Sequence, residues 1–166
     1  MRAMTSTDLY RIRRIAEYQF GKGIGDILFP NGVEIEKSRK TGKIRRIYHE
    51  GKLLATMRAS DGYLALSIEG ARRIVEKTRK PKLRVIVAGE IAKFIKEGRN
   101  VFAKHVVEAD PNIRPGSEVI VVDESDRLLA VGRAVLNGEE MISFKSGVAV
   151  KVRKGVGGEK CEENVT

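Results

Sequence analysis

The residues best able to do chemistry in this sequence are cations gathered in one short segment. Six of the ten residues from 37 to 46 are lysine or arginine. Thr41-Gly42 lies inside the segment between two runs typical of β-strands, so we expect a hairpin with the cations at its tip. A protruding basic hairpin can follow the phosphates of a nucleic acid; the alternative is a charged sheet edge that resists aggregation. The predicted phosphate contacts are Arg39, Lys40, Lys43, Arg45 and Arg46.

A second candidate segment runs from Gly98 to Lys104. Gly98 follows a predicted short helix, Arg99 and Asn100 come next, and Val101 begins an apolar run. A glycine lets another backbone approach closely, here beside a cation and backbone N–H groups. The arrangement suits a nucleic-acid backbone or a splayed 3′ end. Taken alone, the same residues fit a simple helix cap equally well.

No arrangement of residues indicates catalysis, a metal or a cofactor. The acidic pairs Asp123-Glu124 and Glu139-Glu140 fall in turn-like segments, where we expect solvated carboxylates. His49 and His105 each lie in a predicted strand with no motif around them. Two histidines and one cysteine, Cys161, are too few for a zinc site of the usual spacing. We therefore predict no catalytic residue, no metal ligand and no cofactor.

The glycine-rich stretch at residues 20–25 is not a phosphate-binding loop by its pattern. It lacks the G-x-x-x-x-G-K-[ST] spacing and follows a predicted helix rather than a strand. We expect it to stop that helix and form a flexible turn. Lys22 remains able to touch a backbone phosphate.

The charge of the chain is concentrated in its first half. The formal net charge of the 166 residues is +10. Residues 1–80 hold 18 Lys+Arg against 9 Asp+Glu, whereas residues 81–166 hold 14 against 13. A polyanion is the expected partner of such a field. The alternative, a heat-adapted charged surface, would mix both signs in both halves.

The first half has the pattern of an α+β domain. Ser6 or Thr7 can cap a helix that ends near Phe20. Short β-rich runs at residues 33–38, 44–49, 53–58 and 63–66 are separated by close turns, which predicts a four-stranded antiparallel sheet. Ser67 can cap a second helix over residues 68–78.

The second half has the pattern of a small β-barrel. A linker at residues 78–82 precedes a strand at 83–87 and a short helix at 90–97. Further strands are predicted at residues 102–107, 118–122, 128–136, 141–144 and 149–152. Five or six short strands with one helix indicate a small closed barrel. We expect domains at 1–79 and 80–156 and a flexible tail at 157–166, with no membrane span and a cytoplasmic location.

Four segments of the second half share a known pattern, at residues 98–104, 114–119, 130–134 and 147–151. In order and spacing they resemble the PUA domain, which is named for pseudouridine synthases and archaeosine transglycosylases. Residues 16–21 and 53–62 resemble the domain that precedes PUA in archaeosine tRNA-guanine transglycosylase and its archaeosine synthase relatives. The resemblance implies a PUA pseudobarrel that binds tRNA, often near the acceptor stem and 3′ end.

Carried over by position, the resemblance implies a binding surface made of the short helix, the loop after it and the next strand. The implied RNA contacts are Lys96, Gly98, Arg99, Asn100, Val101, Phe102 and Lys104. Weaker candidates on later strands are Arg133, Lys151 and Arg153.

The transglycosylase itself performs base exchange in a (β/α)₈ barrel of about 250 residues, for which these 166 residues leave no room. We therefore expect a non-catalytic protein that binds structured RNA, with tRNA favoured. Two alternatives stay open: an accessory RNA-binding subunit of a separately encoded tRNA-modifying enzyme, and a ribosome-assembly or translation factor. The oligomeric state stays open.

Overall fold

The computed structural model describes residues 2, 3 and 5–157. Contacts between Cα atoms divide the chain between Lys77 and Thr78 into two units. Most of the predicted tail, with Cys161, lies outside the described residues. Gly157, the first residue of that predicted tail, donates its N–H to the carbonyl of Lys96 at 2.8 Å.

The first unit contains a five-stranded antiparallel sheet in which neighbours in sequence are neighbours in space. The strands are β1 (Arg2–Ala3), β2 (Glu34–Lys37), β3 (Ile44–His49), β4 (Lys52–Met57) and β5 (Leu64–Leu66). The four predicted strands are confirmed as β2 to β5. Strand β1 adds a short edge beside β2 that two residues were too few to predict.

Three helices belong to this unit: α1 (Ser6–Phe20), α2 (Ile24–Leu28) and α3 (Ile68–Lys77). Helix α1 is capped by Thr5, whose hydroxyl accepts the N–H of Asp8 at 3.0 Å, so the predicted caps Ser6 and Thr7 are wrong. Ser67 caps α3 as predicted, accepting the N–H of Gly70 at 3.1 Å. The helix stop expected after Phe20 is present at Gly21, but the turn covers only residues 22–23 before α2 begins.

The helices of the first unit pack closely on the sheet. Helix α1 is buried at Ile12, Ala16 and Phe20. The amide of Gln19 pairs with the backbone of Leu64 in both directions, each hydrogen bond 2.8 Å long, and so satisfies the edge strand β5.

The second unit is a six-stranded, nearly closed barrel. Its strands are β6 (Arg84–Val87), β7 (Val101–Phe102), β8 (Val106–Ala109), β9 (Glu118–Asp123), β10 (Leu128–Ala134) and β11 (Val148–Gly155). They lie in the order β7-β11-β10-β9-β6-β8, and only the β6–β9 pair is parallel among the pairs described. Helix α4 (Ala92–Lys96) precedes β7, and helix α5 (Gly138–Ser143) precedes β11.

Two predicted strands of the barrel differ from the structure. Residues 141–144 fall in or next to helix α5, because Asn137 and Glu140 form a reciprocal capping box that starts a helix there. The strand predicted at 102–107 is interrupted by a 3₁₀ turn at Ala103–His105, so His105 lies in a turn.

Two of the acidic side chains that the barrel buries, Asp110 and Asp123, hold loops in place. The carboxylate of Asp110 accepts the N–H of Leu83 at 2.7 Å. Asp123, expected to be solvated, is 4% exposed and accepts N–H groups of Ser125 and Arg127 at 2.9 Å. Burial acts to raise the pKa of Asp123, but these bonds and the Arg127 guanidinium hold that pKa below its usual range.

Buried Arg84 ties the segment before the barrel to the barrel wall. Its side chain is fully buried and forms an ion pair with Asp126, with both nitrogen–oxygen distances 3.0 Å. The same guanidinium donates to the Thr78 hydroxyl at 2.6 Å and to the Lys82 carbonyl at 3.0 Å. A buried guanidinium is tolerated because these acceptors satisfy its donors.

Candidate nucleic-acid interface

The predicted basic hairpin is present, formed by β2, β3 and the loop between them (residues 37–46). The N–H of Ser38 donates to the carbonyl of Lys43, and the N–H of Gly42 donates to the carbonyl of Ser38, both at 2.8 Å. Gly42 has φ 72°, a conformation that favours glycine. Backbone geometry therefore holds the loop, which leaves its cationic side chains outside the hydrogen-bonded ladder.

Not all six cations of the basic hairpin are equally available. Arg46 forms an ion pair with Glu36 at 2.5 Å, and Lys37 lies 3.8 Å from the carboxylate of Asp8. The other four cations of the hairpin form no ion pair with a carboxylate of the described residues: Arg39, Lys40, Lys43 and Arg45. Three of the four, Arg39, Lys40 and Arg45, border an open depression of about 1040 Å³.

Arg45 differs from the three loop cations. Its side chain is half-buried, and its Nε has no hydrogen-bond partner among the described residues. Arg39, Lys40 and Lys43 are exposed. These three side chains therefore carry the most exposed positive charge of the hairpin loop.

Other arginines of the first unit stabilise its fold through hydrogen bonds to the backbone. The Arg13 Nε donates to the carbonyl of Phe29 at 2.8 Å, and the Arg73 Nε donates to the carbonyl of Ile27 at 2.9 Å. Both acceptors lie at the C-terminal end of α2, where carbonyls lack partners within the helix. The formal charge of a segment thus overstates the charge free to meet a ligand.

The Gly98 loop (residues 98–104) begins with a helix-ending motif. The N–H of Gly98 donates to the carbonyl of Ile95 at 2.9 Å, and the N–H of Arg99 donates to the carbonyl of Phe94 at 3.1 Å. This is a Schellman motif with Gly98 at φ 100°. These two N–H groups are used inside the chain, so they are not the open donors that the sequence suggested.

The side chains of the Gly98 loop divide into exposed and internal groups. Arg99 lies over the ring of Phe94, with 5.7 Å from its guanidinium carbon to the ring centre, and Phe94 and Phe102 are 46% and 45% exposed. Val101 is fully buried. Asn100 accepts the N–H of Val152 at 3.0 Å and so holds the loop against β11.

Lys96 precedes this loop at the end of α4, Lys104 ends it in the 3₁₀ turn after β7, and both are exposed. The exposed surface is therefore cationic with two accessible aromatic rings. Such a surface can bind a phosphate and stack a base at neighbouring points.

The weaker candidates lie together on the barrel wall. Arg133 is directly opposite Lys151 across the β10–β11 pair. Arg153 makes a bidentate pair with Glu118, at 2.7 and 3.0 Å, and the Glu118 side chain is fully buried. Arg153 is thus committed to a structural ion pair, while Arg133 and Lys151 are exposed beside a shallow groove of about 360 Å³.

The glycine-rich stretch after α1 binds a carboxylate of its own chain. The two carboxylate oxygens of Glu17 accept the N–H groups of Gly25 at 2.7 Å and of Gly23 at 3.0 Å. These bonds, led by the one from Gly25, hold the pKa of Glu17 below its usual range. The amides that a phosphate-binding loop would use are therefore occupied, in agreement with the missing motif.

Within the described residues, no group of three or more His, Cys, Asp or Glu side chains is placed to hold a metal ion. No helix in the described part of the chain is long and apolar enough to cross a membrane.

Two family models match the chain in succession. Residues 10–81 match the patch-forming domain C2 of tRNA-guanine transglycosylase. Residues 83–156 match the PUA domain.

Curated relatives of similar sequence carry the name tRNA-guanine(15) transglycosylase. The protein of Methanobrevibacter smithii is 51% identical over 149 residues, which cover 90% of this chain and 23% of that relative. The protein of Thermococcus kodakarensis is 52% identical over 145 residues, which cover 87% of this chain and 25% of that relative. The chain spans about a quarter of the length of the curated relatives it matches.

Solved structures of similar fold include two proteins of nearly the same size. A hypothetical protein of Pyrococcus horikoshii superposes with a TM-score of 0.73 at 25% identity, over 92% of each chain. A conserved PUA domain protein of Thermoplasma acidophilum superposes with a TM-score of 0.68 at 20% identity, over 98% of this chain and 97% of that one.

Proposed function

We propose that this chain binds structured RNA and leaves it chemically unchanged. Its residues 10–81 belong to the C2 domain family of tRNA-guanine transglycosylase, and its residues 83–156 belong to the PUA family. The proposed ligand is tRNA. The observation that carries the proposal is the basic hairpin, in which a backbone-held loop presents cations that no carboxylate of the described chain neutralises. Phosphate contacts of this kind supply most of the affinity of a protein for nucleic acid.

The two units are proposed to contribute differently. Residues 1–80 carry twice as many basic as acidic residues, whereas the second half is nearly neutral. We therefore assign general phosphate attraction to the first unit, through Arg39, Lys40, Lys43 and Arg45, with Arg46 beside them. We assign positional selectivity to the Gly98 loop, where Arg99, Phe102 and the flanking lysines are exposed.

Several of the predicted contacts are better described as supports. Asn100 and Val101 hold the Gly98 loop, and Arg153 neutralises buried Glu118. Substituting them would alter RNA binding by displacing neighbours. The proposed direct contacts on the barrel wall are Arg133 and Lys151.

The choice of tRNA is supported by the names of the relatives, which are about 50% identical and act on tRNA by name. The same names favour a second role, as an accessory RNA-binding partner of a separately encoded tRNA-modifying enzyme. Under either role we place the protein in the cytoplasm and expect no catalytic residue of its own. Domain boundaries near residues 79 and 156 are part of this proposal.

Fluorescence anisotropy with labelled RNAs tests the proposal. Full-length tRNA transcript is compared with a structured ribosomal RNA fragment of the same length over a range of salt. We expect tighter binding of tRNA and an affinity that falls steeply with salt. Preference for the ribosomal fragment would select a ribosome-assembly role instead, and an affinity independent of salt would refute the electrostatic mechanism.

A second measurement tests the absence of catalysis. The protein is incubated with tRNA and with guanine analogues, and the nucleosides are then analysed by mass spectrometry. We expect an unchanged nucleoside composition. A new or missing modified nucleoside would contradict the assignment as a binding protein.

A further inference from the structure

A groove on the first unit carries exposed aromatic rings that the proposed phosphate contacts do not use. It is lined by one face of α1 and by the turn before β5, and its volume is about 560 Å³. Three of the four tyrosines of the chain lie there: Tyr10, Tyr18 and Tyr63. They are 66%, 79% and 39% exposed, which is unusual for side chains of this size in a folded domain. We call this surface the tyrosine groove.

The rings of the tyrosine groove are already arranged for stacking. The rings of Tyr18 and Tyr63 have centroids 6.3 Å apart and planes inclined by 14°. Tyr18 is the more exposed of the two, so the pair presents ring surface to solvent. The positions of Tyr10, Arg14 and Tyr18 on α1 are four residues apart, which places all three on one side of the helix.

The charged residues that line the tyrosine groove, among those the structure describes, are two arginines. The guanidinium carbon of Arg14 lies 6.0 Å from the ring centre of Tyr10, and Arg11 is exposed beside it. No carboxylate is among the lining groups. A chain with regularly spaced negative charges and flat aromatic groups would match both features of the groove.

We propose that the tyrosine groove binds an unpaired segment of RNA, with a base stacked on Tyr18 and the adjoining phosphates near Arg11 and Arg14. Stacking on aromatic side chains tolerates any base, because every base has a π-face. The groove would therefore recognise that a segment is single-stranded, whereas the basic hairpin meets phosphates of any structure. This inference rests on the proposed RNA binding and adds a second type of contact to it.

The test compares a short oligouridylate with an RNA duplex that carries the same number of phosphates. We expect Tyr18→Ala to weaken binding of the oligouridylate by about fivefold to a hundredfold, the range that the loss of one stacked base implies. Binding of the duplex should not change. Tyr18→Phe keeps the ring and should retain the wild-type affinity for both RNAs.

Tyrosine emission gives an independent readout, because the chain has four tyrosines and no tryptophan. Oligouridylate should quench part of the emission of the wild type and much less of the emission of Tyr18→Ala. The matched control is Phe144→Ala, which removes a 44% exposed aromatic ring from the other unit. This control should bind both RNAs as the wild type does.

The possible results separate this inference from the proposed function. If Tyr18→Ala binds oligouridylate as tightly as the wild type, while neutralising the basic hairpin still weakens duplex binding, the inference is wrong and the proposed function stands. That result would favour a protein partner for the groove. If the wild type binds neither RNA, the proposed function fails and the inference fails with it.

Discussion

Neutralising the loop of the basic hairpin should lower the salt dependence of RNA binding by a predictable amount. The change is Arg39→Gln, Lys40→Gln and Lys43→Gln in one protein. These three side chains are exposed and form no ion pair within the described residues. Because the loop is held by backbone hydrogen bonds from Ser38 and Gly42, the fold should survive, with the free energy of unfolding changed by about 0.5 kcal/mol or less.

The magnitude follows from counterion release. Each phosphate neutralised on a duplex contributes about 0.9 to the slope of the logarithm of affinity against the logarithm of salt concentration. Three contacts contribute about 2.7. Between about 50 and 200 mM salt, the wild type should therefore lose roughly 40-fold more affinity than the variant. At the low-salt end the variant should bind more weakly, since it has lost three contacts.

Fluorescence anisotropy with labelled tRNA at five salt concentrations measures both slopes. The matched control removes the same charge elsewhere, by Lys52→Gln, Lys77→Gln and Lys145→Gln, all exposed positions outside the hairpin loop. A control slope close to that of the wild type is expected. If the loop variant and the control share one slope, net charge rather than the hairpin governs binding, and our assignment of the hairpin is refuted.

Three further changes test supports of the fold. Arg153→Ala removes the bidentate partner of buried Glu118 and should lower the free energy of unfolding, measured by thermal denaturation, by about 2–4 kcal/mol. The control Lys151→Ala should change it by about 0.5 kcal/mol or less, and equal effects of the two variants would contradict the ion-pair assignment. Because Glu17 has a lowered pKa in the folded chain, its contribution to stability is present above pH 4.5 and is lost as the pH falls through the folded pKa. Glu17→Gln should therefore lower the free energy of unfolding by about 1 kcal/mol at neutral pH and make it less dependent on acid pH, as measured by urea denaturation over a pH series. Gly98→Ala should lower the free energy of unfolding by about 1 kcal/mol or more, and Gly98→Asn by less; the cause is backbone strain at φ 100°, because a Cβ there would meet no atom within 4 Å. An unchanged melting temperature in Gly98→Ala would exclude the strained conformation.

The sequence predicted the elements that local turn chemistry defines. Gly42, Gly51 and Gly62 each lie between two of the predicted β-rich runs, and each has φ between 72° and 80° in the structure. The four strands between these turns and the two long helices follow from the same local signals. The barrel was predicted because the second half contains several short strands separated by turn residues.

The sequence was ambiguous where one residue type serves two structures. Asn137-Gly138 reads as a hairpin turn, but Asn is also a good N-cap, and Glu140 completes a capping box that decides for a helix. Helix α2 has five residues, too few for a helical period to show. Local composition cannot settle such short elements, because packing against the rest of the domain selects between them.

The sequence predicted the positive charges of the candidate site, but not which of its residues pair with other residues of the chain. Exposed loop cations such as Lys40 could be recognised from the hairpin pattern. The pairs Arg153–Glu118 and Asn100–Val152 join residues 35 and 52 positions apart, and they depend on strand register within the barrel. Register between distant strands is a property of the folded barrel, so the sequence could not separate contacts from supports.

The buried Arg84 determines where the second unit can be cut from the chain. A fragment that starts at Leu83 would retain the Asp126 partner but lose the acceptors on Thr78 and Lys82. Several donors of a fully buried guanidinium would then lack those bonds, a situation that costs roughly 1–3 kcal/mol for each unsatisfied group. A fragment that starts a few residues before Thr78 keeps them. Experiments that divide the RNA affinity between the two units should therefore use the earlier cut, because the later one would confuse loss of RNA binding with loss of folding.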